Sequence, residues 1–392
     1  MIRSRSWVLV VIVFSQFACT SLWFAGNAVM PDLIEAFNFA LSDLGYITSS
    51  VQFGFIVGTL SYAFLTLSDR FSPSKVFFFS ALAAGAANLG LIIEGQSELT
   101  VLLLRFMCGF FLAGIYPVGM KIASDYFHEG LGKALGFLVG ALVIGTAFPH
   151  LLKSLNLSLP WRFIFVITSA MSFIGGLLIL FLVADGPHRK FSKTPDLSAF
   201  FKVFKNRRFR LAAFGYFGHM WELYAFWAFV PVLLLSYQQL HTEIKWSTSM
   251  LSFYTIAIGG LACVASGYFS QKYGSKKAAY FALLGSCICC ILSPLAFYLP
   301  SVVLIIFLLF WGMLVVADSP QFSTLVAQNA PAASRGTALT IVNCLGFSIT
   351  ILSIQLLSML LEHIEPTYIY VFLAVGPVLG LLAMRRFDQK VS

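Results

Sequence analysis

Charge is scarce in this sequence. Of 392 residues only 10% are Asp, Glu, Lys or Arg, against about 25% in an ordinary soluble domain. Hydrophobic residues make up 59%, and phenylalanine alone supplies 41. Once the apolar runs are set aside, no stretch remains that would make a soluble globular domain of ordinary size. The signatures of enzyme chemistry are missing too. His128-Glu129 is not followed by the second histidine of a zinc-protease helix, and there is no G-x-S-x-G and no phosphate-binding glycine loop. The seven cysteines (Cys19, Cys108, Cys263, Cys287, Cys289, Cys290, Cys344) all sit in apolar runs, with no histidine at metal-ligand spacing. They read as small buried apolar residues. No metal, no cofactor and no enzyme activity is expected.

What is present is a series of apolar runs. A helix that crosses a bilayer takes roughly 20 apolar residues. Runs of that order fall at 7–30, 44–67, 76–95, 99–122, 134–155 and 162–184, and again at 209–236, 248–270, 278–298, 302–327, 337–361 and 368–384. The expected fold is therefore an all-α polytopic membrane protein of about twelve transmembrane helices. The opening Met-Ile-Arg-Ser-Arg-Ser before Trp7–Ala18 has the outline of a signal peptide. The apolar run continues past Ser21 without a clean small-residue cleavage site, so an uncleaved first span is expected. One long polar segment, 185–208, holds Gly186-Pro187 and Thr194-Pro195 and then a short basic stretch suited to a membrane surface. It divides the chain into a six-helix half, 1–184, a linker, 185–208, and a second six-helix half, 209–392.

The net charge of +9 does not read as a nucleic-acid footprint, because the basic residues alternate from loop to loop. All but five of the 25 lysines and arginines fall at the termini, in the central linker or in every second loop. Of the five, Lys153, Arg162 and Lys245 lie in the opposite loops, and Arg105 and Lys121 lie within one run. The positive-inside bias places both termini and the linker in the cytoplasm. The expected location is a bacterial inner (plasma) membrane, with the lipid bilayer as surroundings and no nucleic-acid partner.

Against this apolar background the run containing Gly215–Pro231 stands out, because Glu222 lies near its middle with His219 one helical turn earlier on the same face. A charged side chain at bilayer depth costs about 2.5–3.5 kcal/mol on insertion scales, so it faces protein or a water-filled cavity. Glu222 is either a functional carboxylate or a structural one that hydrogen-bonds a neighbouring helix.

The chain also repeats itself. Gly109 and Pro117 in the fourth run match Gly312 and Pro320 in the tenth, 203 positions on. Gly132-Lys-Ala134-Leu135 matches Gly336-Thr-Ala338-Leu339 at an offset of 204, and Pro31 matches Pro231 at 200. A nearly constant offset at separate places indicates two parallel halves. That is a transporter architecture, with the solute site at the midplane between the repeats.

At this point the residues resemble the major facilitator superfamily (MFS). Ser68-Asp69-Arg70-Phe71-Ser72-Pro73-Ser74-Lys75 is similar to that family's signature loop, G-x-L-a-D-R-x-G-R-R/K, with Leu65 and Ser72 in place of the two glycines. Gly267-Tyr-Phe-Ser-Gln271-Lys272-Tyr-Gly274-Ser-Lys276-Lys277 resembles the same loop in the second half, with Gln271 where an acidic residue is usual. Arg105-Phe-Met-Cys-Gly109 resembles the family's R-x-x-x-G helix motif, and Trp161-Arg162 its usual start of the sixth helix. The resemblance covers essentially the whole chain and carries no substrate signature. It implies a secondary transporter working by alternating access, a monomer, with a cytoplasmic gate at Asp69, Arg70, Lys75, Gln271, Gly274 and Lys276. Asp69 would pair with helix amides or with a basic residue, latching the cytoplasmic side in one state. The basic residues of these loops also set topology.

The family lines its central cavity with helices 1, 4, 7 and 10. Carried onto this sequence, the cavity and solute residues are Trp23, Asn27, Arg105, Tyr116, Phe226, Trp311 and Gln321. Glu222, Asp318 and His219 are the candidates for proton coupling, in that order for the two carboxyls, with His219 as a relay. Burial and a nearby arginine act oppositely on a carboxyl, so one held between them titrates as its access to water changes. Arg105 has the alternative role of tying helices together through its five donors. The expected partners are a small, organic solute and H+. A sodium-coupled cycle, an uncoupled facilitator and a drug or metabolite efflux antiporter fit the same residues. A membrane enzyme lacks its motifs, and a sensor would be expected to carry an appended signalling domain.

Overall fold

The computed structural model describes residues 5–37, 39–40, 43–127, 131–155, 160–189, 203–331 and 335–387. Arg3, His128, Glu129, Lys390 and the middle of the linker, 190–202, lie outside them. Among the described residues the chain is helical, without strands. Apolar backbone with no water to bond must satisfy its own N–H and C=O groups, which a helix does. Ten helical stretches are long and apolar enough to cross a membrane. The first and third runs complete the twelve: one is interrupted, and the other, Pro73–Gly90, is rich in Ala, with two Ser, two Gly and one Asn. Large apolar side chains such as Phe79, Phe181 and Leu261 stand exposed, as lipid-facing surface requires.

Contacts divide the chain into two compact units, residues 1–194 and 195–392. The first contains α1 (Arg5–Thr20), α2 (Ala25–Ala28), α3 (Met30–Phe37), α4 (Asp43–Phe64), α5 (Leu67–Arg70), α6 (Pro73–Gly90), α7 (Glu98–Leu112), α8 (Tyr116–Tyr126), α9 (Leu131–Leu155) and α10 (Arg162–Leu182). The first apolar run is thus not one helix. It is interrupted at 21–24, and Pro31 sits in the first turn of α3, where its missing N–H has no helical partner to lose. The fourth run breaks at 113–115 and restarts with Pro117 in the first turn of α8.

The second unit holds α11 (Arg207–Leu240), α12 (Thr248–Tyr273), α13 (Ser275–Ala296), α14 (Ser301–Ala317), α15 (Ser319–Asn329), α16 (Arg335–His363), α17 (Pro366–Ile369) and α18 (Val375–Arg385). The Asn206 side chain caps α11 by accepting from the Arg208 and Phe209 amides, and Ser247 caps α12 through Met250. Pro231 lies inside α11. Its repeat partner Pro31 opens a helix, so the two prolines share an offset without sharing a local structure. The break in the tenth run falls at Asp318, with Pro320 in the first turn of α15. This matches the break before Pro117.

The repeated glycines have a shared physical reason. A Cβ on Gly109 of α7 would collide with the Val51 carbonyl of α4, and one on Gly312 of α14 with the Thr255 carbonyl of α12. Each glycine lets a helix rest on bare backbone, and Val51 and Thr255 are themselves 204 positions apart. Overpacking costs typically 1–3 kcal/mol where side chains can yield; backbone yields less. Gly109→Ala and Gly312→Ala are therefore expected to lower the melting temperature of the purified protein. Gly267→Ala, whose added Cβ meets nothing within 4 Å, should melt like the parent. Equal melting of all three would remove the packing argument.

Candidate functional site

Glu222 is 1% exposed and lies in the middle of α11. Its carboxylate is held from two other helices of the same unit. Trp311 Nε1 of α14 donates to Oε1 at 2.7 Å, Cys290 Sγ of α13 to the same oxygen at 3.3 Å, and Ser286 Oγ to Oε2 at 2.8 Å. Phe226, one turn further along α11, packs against Trp311 with ring centroids 4.4 Å apart and the planes tilted by 35°, which holds the indole in place. An indole N–H only donates, whereas a hydroxyl both donates and accepts. An ionised Glu222 therefore accepts all three bonds. A protonated one gives its proton to Ser286 Oγ, whose own hydrogen then turns to the Leu283 carbonyl, 3.2 Å away. Neither form leaves a bonding group stranded.

One turn before Glu222, His219 Nδ1 lies 2.8 Å from Asp318 Oδ1, and both side chains are about 1% exposed. Asp318 stands at the α14–α15 break, where its carbonyl accepts from the Gln321 and Phe322 amides. His219 Nε2 is buried with no hydrogen-bond partner among the described residues. The second unit thus gathers five of the expected residues, Glu222, His219, Asp318, Phe226 and Trp311, around α11 and α14. Gln321 is buried one turn beyond Asp318.

The corresponding place in the first unit is built differently. Arg105 of α7 is 1% exposed and donates to Asn88 Oδ1 of α6 at 3.0 Å and to the Leu22 and Trp23 carbonyls at 3.1 and 2.7 Å. Those two carbonyls belong to the interruption at 21–24. Asn88 passes the chain on to Thr168 and Ser169 of α10. These three partners are neutral dipoles, through which Arg105 joins α6 and α7 to the interruption that follows α1. Trp23 packs on Phe55, ring centroids 4.8 Å apart, and Asn27 donates to Thr48 at 2.8 Å. Tyr116 begins α8; the break at 113–115 separates it from the Arg105 helix that spacing alone puts it on.

Sequence reasoning did not single out Asn88, Ser286 or Cys290, nor Gln16 and Gln52. The last two are fully buried, with both amide atoms unpaired among the described residues. A polar residue in an apolar run was the available signal, weakest for serine and cysteine, which helices in lipid accept readily.

In the signature-like loop, Asp69 of α5 pairs with Lys121 of α8 at 2.7 Å, inside its own unit. Arg189 donates to the Asp69 and Phe71 carbonyls at 3.0 and 2.8 Å and to Asp185. Arg70, Lys75 and Gln271 are exposed, and the Lys276 ammonium lies 5.6 Å from the Phe387 ring centre. Gly274 joins α12 to α13 at φ +86°, a conformation that favours glycine.

The Major Facilitator Superfamily description matches residues 12–354. Curated relatives include the MFS-type transporter cnsO of Penicillium expansum, 26% identical over 173 residues, covering 42% of this chain and 33% of that protein. The "Probable galactarate/D-glucarate transporter GudP" of Bacillus subtilis is 25% identical over 179 residues, 43% of this chain and 38% of that protein. The chain thus aligns with between a third and two-fifths of the length of these two relatives. Among solved structures, a bacterial homologue of the human lysosomal transporter Spinster aligns with a TM-score of 0.74 at 15% identity, over 99% of this chain and 98% of that one. The nucleoside transporter NupG aligns with a TM-score of 0.75 at 17% identity, over 98% and 100%. These two likenesses concern the fold. With the family match running through nearly all of the helices described above, this chain is an integral membrane protein that belongs to the Major Facilitator Superfamily.

Proposed function

We propose that the protein is a secondary transporter that moves a small organic solute by alternating access, coupled to protons. The observation that carries the reading is Glu222: a buried carboxyl whose partners can bond it in both its ionised and its protonated form. Such a group can take up or release a proton without stranding a hydrogen-bonding partner, which suits a coupling site. The His219–Asp318 pair, one turn away, is the relay, and the unpaired His219 Nε2 is the position through which a proton would pass. Each unit has its own candidate solute contacts: Asn27 and Gln52 with the Trp23 and Tyr116 rings in the first, and Gln321 with the Phe226 and Trp311 rings in the second. The relatives' names refer to unlike solutes, a galactarate or D-glucarate in one and a nucleoside in another, so they do not choose among solutes. The deciding experiment is a panel of labelled solutes in proteoliposomes, with pH gradients imposed in both directions. Uptake that ignores the gradient for every transported solute would remove the proton from the reading.

The loop around Asp69 is the cytoplasmic gate in this reading, with Lys121 as its ion-pair partner and both termini on the same side. The seven natural cysteines are all buried, so an exposed thiol placed by Lys75→Cys reports alone. An impermeant maleimide is expected to label it only after cells are permeabilised, and faster once Asp69→Asn has removed the ion pair. Labelling in intact cells would reverse the orientation. A rate unmoved by Asp69→Asn would leave the pair a static contact.

A further inference from the structure

A groove on the second unit is not used by the transport reading. It runs along α11, α16 and α18 and has a volume of about 790 Å3. Its floor is bare backbone: a Cβ on Gly218 would strike the Gly376 carbonyl, and one on Gly376 the Gly218 carbonyl and the Trp221 side chain. Two glycines in contact let α11 and α18 touch with nothing between them, and that leaves the channel above. Trp221 closes one end, its indole held by the Phe372 carbonyl at 3.1 Å. The walls are apolar side chains, several of them exposed, such as Leu352 and Leu379.

The other end is strongly basic. Arg207, Arg210 and Arg386 line it, and no acidic side chain is among the lining residues described. Arg207 donates to the Arg386 carbonyl and Arg210 to the Phe204 carbonyl, each at 3.0 Å. Arg207 thus reaches the Arg386 backbone at the mouth, and the three arginines give that end a positive charge with no acidic side chain among the described lining residues. From Arg210 to Trp221 is eleven residues of α11, about 16 Å at the helical rise of about 1.5 Å. Half of a hydrocarbon core of about 30 Å is about 15 Å. The apolar part of the groove is therefore one leaflet deep, with its cationic mouth at headgroup level.

We propose that this groove binds an anionic glycerophospholipid. The phosphodiester sits among Arg207, Arg210 and Arg386, whose planar forks suit phosphate oxygens, and an acyl chain lies over the Gly218–Gly376 contact as far as Trp221. Charge at the mouth selects the headgroup, and the leaflet-deep channel selects a lipid over a free anion.

The test uses the full chain, purified and delipidated in detergent, with bound lipid counted by native mass spectrometry and stability followed by thermal melting. Dioleoyl phosphatidylglycerol is expected to remain bound and to raise the melting temperature. Dioleoyl phosphatidylcholine, with the same chains and no net charge, should do so weakly, and glycerol 3-phosphate, a headgroup without chains, not at all. Arg210→Gln with Arg386→Gln should weaken phosphatidylglycerol binding about tenfold or more, about 1.4 kcal/mol. Arg208→Gln removes the same charge from an exposed neighbour outside the groove and should change little. Leu379→Trp, which fills the wall, should reduce binding with all three arginines in place. If the double variant does not fold, Arg386→Gln alone carries the comparison. Equal binding of both lipids, equal loss with Arg208→Gln, or glycerol 3-phosphate matching the lipid would each overturn the proposal.

Discussion

Glu222→Gln is expected to abolish pH-driven accumulation while leaving solute exchange. One pH unit is about 1.36 kcal/mol per proton, roughly tenfold accumulation at one proton per solute. The parent should approach that ratio in proteoliposomes and the variant should stay near unity. Folding should survive, because glutamine can make the bonds of the protonated acid, with one amide hydrogen to spare. Its carbonyl accepts from Trp311 Nε1, and its amide donates to Ser286 Oγ, which turns its hydrogen to the Leu283 carbonyl. The variant is thus fixed in the neutral form, and counterflow, which requires no net proton movement, should continue. Asp318→Asn is the companion. Asparagine still accepts from His219 Nδ1 but cannot carry the charge, so it should impair coupling less if His219–Asp318 only relays. Normal accumulation by Glu222→Gln with loss in Asp318→Asn would transfer the carrier role to Asp318. A loss of folded protein in Glu222→Gln would instead make the carboxyl a helix tie.

Ser286→Ala separates the two halves of that argument. It removes the acceptor that the protonated carboxyl needs, while Trp311 and Cys290 still serve the ionised form. Coupling should weaken without the complete loss expected for Glu222→Gln.

The rods of this fold were legible because a bilayer leaves a long apolar run little choice but to be helical. Ten of the twelve runs read from the sequence recur as helical stretches long and apolar enough to cross a membrane, the first run being interrupted at 21–24, and the glycine repeat at 109 and 312 proved to mark the same backbone contact in each unit. Single charges in apolar runs were legible for the same reason: Glu222, Arg105 and Asp318 are costly wherever they stand. Their partners were not. Asn88, Ser286 and Cys290 are small polar residues of a kind scattered through every helix here, and only the packing selects them. Nor does pattern announce the interruption at 21–24. Ser21-Leu-Trp-Phe24 contains neither glycine nor proline, and its hydropathy continues that of the helix before it. The break is stabilised from outside, by a side chain that lies more than 80 positions away in sequence.

That dependence makes Arg105 the second large effect. Arg105→Leu strands the Trp23 carbonyl and the Asn88 side-chain oxygen in a buried setting and leaves the Leu22 carbonyl only its 3.5 Å bond from the Ala25 amide. Each unsatisfied group costs roughly 1–3 kcal/mol, so the total rivals the roughly 5–15 kcal/mol that holds an ordinary protein folded. The expected result is little monodisperse protein after detergent extraction. Arg105→Lys keeps the charge but replaces a planar fork by one ammonium, which cannot reach Asn88 and both carbonyls together. It should fold with a lowered melting temperature. Asn88→Ala removes one of the three acceptors, and its effect should shrink in the Arg105→Lys background, since groups in one network do not act additively. An Arg105→Lys protein that melts like the parent yet no longer binds solute would place the guanidinium at the solute instead, and the interruption of the first helix would then need another support.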